Sequence, residues 1–257
     1  MFVVVNHQVV RRQTRRGYLF LLLSLAVFVA GFVATWSWPH NEVASTFALA
    51  ALFLGVLLWQ VHQYYLRRWD ARHRLDRDLS QALRGLGSRY TLVCFADPRL
   101  PDYLLLGPHG VAILVARNTD GTIRCRNDRW SRRETPRWAA LLGADVVRNP
   151  TLEARQNWQR LGEYLRQVPG ELGEVAEVPV MALIVFTHPH VQLEVEQCAF
   201  PVLRAREVPG YLQQQRGAVP APVMQRLRDW LVPPAILAEA QVAGAERARV
   251  RPSARRR

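Results

Sequence analysis

Asp102–Gly121 reads DYLLLGPHGVAILVARNTDG. Two uncharged apolar runs, Tyr103–Leu106 and Val111–Ala116, flank Gly107-Pro108-His109-Gly110, and Thr119-Asp120-Gly121 closes the stretch. Apolar runs this short, bounded by Gly and Pro, are strands rather than helices, so the stretch is strand, turn, strand, turn.

Toward the N-terminus, Tyr90–Ala96 is a third apolar run and Asp70–Leu86 carries Leu75, Leu79, Ala82, Leu83 and Leu86 at helical spacing. Toward the C-terminus, Thr122–Arg126 alternates as a strand. Asn149-Pro150 is a helix start with Asn as cap and Pro in the first turn. Leu152, Trp158, Leu161 and Leu165 form that helix's apolar stripe, and Pro169-Gly170 ends it. Val178–Phe186 is a buried-strand run, Val191–Val195 alternates, and Phe200–Leu203 fits beside it. Helices are expected over Val208–Gln215, Pro222–Leu231 and Pro234–Ala243. Strands and helices in this order give an α/β module with a mixed sheet.

The segment before the module belongs in a different solvent. Gly17–Pro39 and Val43–Leu66 contain no charged residue, and each is long enough to cross a hydrocarbon layer about 30 Å thick. Only Pro39–Glu42 separates them, so they read as a hairpin of two transmembrane helices, with Trp36, Trp38, Trp59, Tyr64 and Tyr65 near the interfaces. Arg11, Arg12, Arg15 and Arg16 precede the hairpin and Arg67, Arg68, Arg72 and Arg74 follow it. The positive-inside rule therefore puts both flanks in the cytoplasm and the turn at His40 outside. The expected organisation is a basic cytoplasmic N-terminus (1–16), the hairpin (17–66), a membrane-proximal helix (67–87), the α/β domain (88–231), and a C-terminal helix with an Arg-rich tail (232–257).

Of 257 residues, 34 are basic and 21 acidic, for a net charge of +13. Every basic residue is Arg. With no Lys in the chain, Schiff-base chemistry, a P-loop lysine and a lysine general base are all excluded. Four arginines in 1–16, Glu42 in the hairpin, and six arginines against Glu246 in 245–257 account for +8 of the charge, leaving +5 for the module. Anionic lipid headgroups suffice as partner for the charged ends, and the tail RARVRPSARRR has too little apolar content to pack. Cys94, Cys125 and Cys198 are odd in number and lack CxxC spacing, which indicates thiols in a reducing compartment rather than a disulfide framework or a zinc site. GxSxG, HExxH, GxGxxG and Walker sequences are absent. His188 and His190 follow a strand at a proline turn and read as exposed loop residues.

DYLLLGPHGVAILVARNTDG, then Asp128-Arg129-Trp130 and NPTLEARQNWQRL from Asn149, resembles the nuclease-related domain (NERD) family over roughly Asp76 to Leu212. The carrying motifs are the DxxxxGPxGV turn, the Asn-x-x-Gly turn and the Asn-Pro helix start, in family order. The resemblance implies the restriction-endonuclease-like fold of PD-(D/E)XK nucleases and metal-dependent phosphodiester hydrolysis, with Mg²⁺ or Mn²⁺ as cofactor. By that resemblance Asp76, or Asp78 in another register, takes the early acidic position and Asp102 the aspartate before the turn.

Two positions depart from the family pattern, where a strand ends in Glu-x-Lys-Asn. Val115 stands at the glutamate and Arg117 at the lysine. Valine cannot ligate a metal, and a guanidinium cannot act as a base at neutral pH. Glu153 stands where the family has glutamine, so it could supply a third ligand beside Asp76 and Asp102. An acid in a first helical turn is also favoured by the helix dipole alone.

Arg124, Arg126, Arg129, Arg132, Arg133 and Arg137 surround Trp130, with only Asp128 and Glu134 as acids. Such a cluster can hold phosphates while the indole stacks on a base, or can face anionic lipid as a solvated loop. Three functions follow. The first is a membrane-anchored module with weakened nuclease chemistry that binds nucleic acid or a partner. The second is an active nuclease using Asp76, Asp102, Arg117 and Glu153, and the third is a membrane scaffold that contacts another protein. The hairpin and the resemblance together imply a prokaryotic plasma membrane.

Overall fold

The structure is a computed structural model describing residues 1–39, 41–69, 74–133, 149–167, 178–215, 219–234 and 236–240. The chain divides into two compact units, one of His7–Arg74 and one of Met1–Asn6 with the chain from Leu75 onward.

The first unit is a pair of helices, α1 (His7–Ser37) and α2 (Glu42–Trp69), packed along their length. Both are long and apolar enough to cross a membrane. Small residues set their spacing: a Cβ on Gly31 would stand 2.9 Å from that of Ala51. Polar side chains bridge them without a charge, Ser24 Oγ donating to the Gly55 carbonyl at 2.9 Å and His62 Nδ1 to that of Gly17 at 2.8 Å. Leu19, Leu22, Phe32, Phe53 and Leu57 remain exposed, a surface suited to hydrocarbon. α1 starts well before the uncharged run and takes in Arg11 to Arg16, so most of 1–16 continues the first helix. The turn residue His40 lies outside the described residues.

The second unit is α/β with a mixed sheet. Its strands are β1 (Phe2–Val5), β2 (Thr91–Cys94), β3 (Tyr103–Gly107), β4 (Gly110–Arg117), β5 (Thr122–Arg126), β6 (Arg129–Arg132), β7 (Val180–Phe186), β8 (Gln192–Glu196) and β9 (Val202–Arg204). The helices are α3 (Asp76–Ala82), α4 (Pro150–Arg166), α5 (Val208–Gln214) and α6 (Ala221–Leu231). Six strands form one sheet in the order β1-β2-β3-β4-β7-β9, and β6-β5-β8 form a second. Strands β2, β3 and β4 are an antiparallel meander, whereas β7 is parallel to β4 and β9 to β7.

Alternation along the strands sorts the core. Leu104, Leu106, Val111, Ile113, Val115, Ala182 and Ile184 join Ala154, Leu161 and Leu165 of α4 and Leu227 and Leu231 of α6 in one apolar cluster. Leu105, Ala112, Leu114 and Leu183 point the other way and are buried as well, as are Leu79 of α3 and Val208 and Leu212 of α5. Gly110 has φ +103°, and a Cβ there would strike the Pro179 carbonyl, so the turn between β3 and β4 needs glycine.

Four details differ from the sequence reading. β1, in the segment read as a bare basic N-terminus, pairs in parallel with β2 from Phe2↔Thr91 to Val5↔Cys94. Its four residues are too few to signal a strand, and their partner lies far along the chain. The expected helix over 70–86 is shorter: 70–73 are outside the described residues, and α3 runs only from Asp76 before a 3₁₀ turn at Leu83–Gly85. Residues 129–132, read as loop, are β6, because Asn127 and Asp128 both have positive φ (49° and 60°) and make a tight hairpin turn. Cys125 and Cys198, read as free thiols, are joined by a disulfide, and Cys94 is the free buried cysteine among the described residues. Spacing conceals this bond, since the partners are 73 residues apart and meet only when β8 pairs with β5. Pro169-Gly170, Arg137, Glu134, residues 241–243 and the Arg-rich tail fall outside the described residues; 236–240 are helical.

Candidate functional site

The C-terminal end of β4 is where the sequence places the chemistry. Leu104 pairs with Ile113, and counting two positions further along the antiparallel strands brings Asp102 level with Val115. Val115 is 1% exposed and packs in the core cluster, so by this count the position opposite Asp102 is hydrocarbon. Asp102 is held by its backbone, its carbonyl accepting from the Phe95 amide at 2.8 Å.

Asp76 opens α3 and is buried. It lies on the Tyr103 side of the sheet: the Tyr103 hydroxyl accepts from the Leu75 amide at 2.9 Å. Burial pushes the Tyr103 phenol above its ordinary value, and the charges of Cys94, Asp102 and Asp76 add to the rise. The two aspartates thus share a neighbourhood through Tyr103.

Glu153 and Arg117 meet each other instead. Arg117 is the last residue of β4, and its Nη2 donates to Glu153 Oε2 in a close ion pair while Nη1 donates to the Ala116 carbonyl at 3.0 Å. The Arg117 carbonyl accepts from the Thr187 amide at 2.8 Å, which ties the residue to the end of β7. Glu153 is placed by the start of α4, where Asn149 Oδ1 accepts from the Thr151 and Leu152 amides at 3.1 and 3.2 Å. The carboxylate considered as a replacement metal ligand is therefore matched by the guanidinium at the lysine position. Among the described residues, Asp76, Asp102 and Glu153 do not converge into a set of metal-ligand distance.

The basic cluster lies on the three-stranded sheet. β5 and β8 are parallel with Arg124 level with Glu194 and Arg126 with Glu196. Ion pairs follow from that register: Arg124–Glu194 at 2.7 Å and Arg126–Glu196 at 2.9 Å. Arg132 pairs with Asp120 at 2.6 Å and Arg133 reaches Glu194 at 3.8 Å. Arg129 enters no ion pair among the described residues. Trp130 is a structural group, its Nε1 donating to Thr151 Oγ1 at 2.8 Å and its ring lying 6.0 Å from that of Phe186. A cavity of about 450 Å³ is lined by Arg124, Arg126, Asn127, Arg129, Trp130 and Ser131. The sequence reading missed the acids opposite, although Arg-x-Arg on one strand and Glu-x-Glu on another was a usable signal.

His188 and His190 are exposed or half-exposed in the turn after β7, their rings 5.8 Å apart. One set of donors does converge among the described residues, and the sequence did not indicate it: Cys125, Asp128 and Cys198 have ligand atoms all within 4.8 Å of one another.

No protein-family model, curated protein or solved structure matches this chain. The nuclease-related resemblance rests on the residues quoted above.

Proposed function

We propose that this chain is a membrane-anchored, nuclease-related module that has lost metal-dependent cleavage and acts by binding a phosphate-bearing polymer, nucleic acid foremost. The observation that carries this reading is the combination at the end of β4. Counted on from the β3–β4 register, buried Val115 falls opposite Asp102, and the substitute carboxylate Glu153 is bound by Arg117. Hydrolysis of a phosphodiester needs a divalent cation held by several oxygens, and both the missing donor and the guanidinium beside the remaining one oppose that. Helix α3, the β2-β3-β4 meander, crossover helix α4 and parallel β7 follow one another as a restriction-endonuclease-like fold requires, which supports the family reading. The cavity is of a size to take phosphate, and Arg129, outside the ion pairs of the sheet, supplies it with a cation.

Membrane anchoring is supported by α1 and α2, and a cytoplasmic orientation by the arginines on both flanks. Strand β1 adds a topological argument. It precedes the hairpin in sequence yet is hydrogen-bonded to β2, which follows it, so a hairpin crossing a bilayer must return to the side it left. The same pairing decides which protein to assay, because a fragment starting at residue 67 lacks an edge strand of its own sheet.

The test uses the full chain in lipid nanodiscs with single-stranded and duplex DNA and titrated Mg²⁺ or Mn²⁺. DNA should bind at low salt, weaken steeply as salt rises, and remain uncut. Metal-dependent cleavage abolished by Asp102→Asn would overturn the loss of catalysis, and absence of binding at low salt would overturn the binding role.

A further inference from the structure

The disulfide and the arginines point to opposite compartments. Cytoplasmic proteins rarely keep a disulfide, because cellular thiols reduce it. The flanking arginines favour the cytoplasm for both ends of the hairpin. The surroundings of the two cysteines supply a use for them in the reduced form.

Cys125 closes toward the end of β5 and begins the sequence Cys125-Arg126-Asn127-Asp128, whose left-handed turn brings the Asp128 carboxylate back beside the Cys125 sulfur. Cys198 arrives from β8 through a second left-handed residue, Gln197 at φ 53°. The two turns brace each other: the Asn127 amide donates to the Glu196 carbonyl at 3.2 Å, and the Ala199 amide donates to Asp128 Oδ1 at 2.9 Å. That last bond orients the carboxylate, as outer hydrogen bonds do for metal ligands. Cys125 is fully buried, so its sulfur is shielded from competing solvent.

We propose that in the reduced protein Cys125, Cys198 and Asp128 bind a zinc ion, with water as the fourth ligand. Reduction transfers two electrons and two protons to the disulfide from a thiol reductant, which leaves as its own disulfide; zinc then displaces the two thiol protons. The two sulfurs are bonded to each other here and the Asp128 carboxylate lies within 4.8 Å of both; after reduction they need only separate, by side-chain rotation, to the at most about 4.6 Å that two thiolates each about 2.3 Å from one ion span. Two thiolates and one carboxylate suit zinc better than magnesium or calcium, which prefer oxygen. The single net negative charge left on such a site is offset by Arg129, which lies outside the ion pairs of the adjoining strands. The ion would staple the β5–β6 hairpin to the end of β8, beside the Arg-lined cavity. This site shares no residue with the end of β4 and stands whether or not the nuclease-related reading does; the cytoplasmic orientation motivates it.

Cobalt(II) is the probe, added to the purified full-length chain in detergent after reduction with a phosphine under anaerobic conditions. One equivalent should bind with an intense thiolate-to-cobalt absorption, displaced by zinc and absent before reduction. Cys198→Ser should abolish the band and Cys94→Ser should preserve it, while Asp128→Asn should weaken binding by about tenfold or more. No band in the reduced wild-type chain, or a band that survives Cys198→Ser, would overturn the site. Unchanged affinity in Asp128→Asn would remove the carboxylate from it. These readouts on purified protein do not depend on which side of the membrane the unit occupies.

Discussion

The end of β4 and the turn after β5 contain similar ingredients and treat them in opposite ways. At the end of β4, the acids named by a sequence motif form no metal-binding set among the described residues: Asp76 and Asp102 both act on Tyr103, and Glu153 is bound by Arg117. At the turn after β5, three donors that no motif names converge within 4.8 Å. A motif records residue types and spacing along the chain, whereas a site exists only where backbone and register bring their atoms together.

Replacing Val115, near the end of β4, is the strongest way to break the comparison. Val115→Glu should destabilise the α/β unit by on the order of 4 kcal/mol, because it buries a carboxylate within an apolar cluster, and thermal unfolding of the full chain would show it. A variant that instead gained Mn²⁺-dependent stability would mean that one added oxygen at this position completes a cation site.

The next effect sits at the opposite end of the same strands. His109, in the turn between β3 and β4, is buried with neither ring nitrogen hydrogen-bonded, and burial pushes its pKa down to about 4. The unfolded imidazole takes a proton near pH 6.5 while the folded one stays neutral, so stability is full above pH 6.5 and falls as pH drops toward 4. The loss across that window should be about 3 kcal/mol, and His109→Phe should flatten the pH dependence of unfolding.

The smallest effect sharpens the contrast on the three-stranded sheet. Arg124→Gln should change stability by no more than about 0.5 kcal/mol, because the Arg124–Glu194 pair is half exposed. Binding of DNA should fall more than stability does, and equal losses would assign the arginine a structural role only.

Much of the α/β unit was legible from short apolar runs between Gly and Pro. Residues 103–107, 110–117, 122–126 and 180–186 are strands near where those signals put them, and Asn149 caps α4 as its type suggests. The losses have local causes. β6 was read as loop because its arginines mask an alternation in which Trp130 turns toward Phe186 and its neighbours face outward. The basic cluster was read as excess charge because the compensating Glu194 and Glu196 come from a strand 70 residues away. Glu153 was legible as an acid at a helix start, but its partner was not.

Composition and order alone determined that two long apolar helices lie ahead of most of an α/β unit, that lysine chemistry is impossible, and that the run from Val111 to Ala116 is uncharged and ends at Arg117. Those conclusions depend on residue type and on spacing along one segment, which the chain carries without folding. Tertiary structure decided that the first strand joins a sheet resumed after the hairpin, that Arg117 takes up Glu153, and that Cys125, Asp128 and Cys198 meet. Each of these joins segments distant in sequence, and their contact is set by strand register and helix packing, which no local pattern encodes.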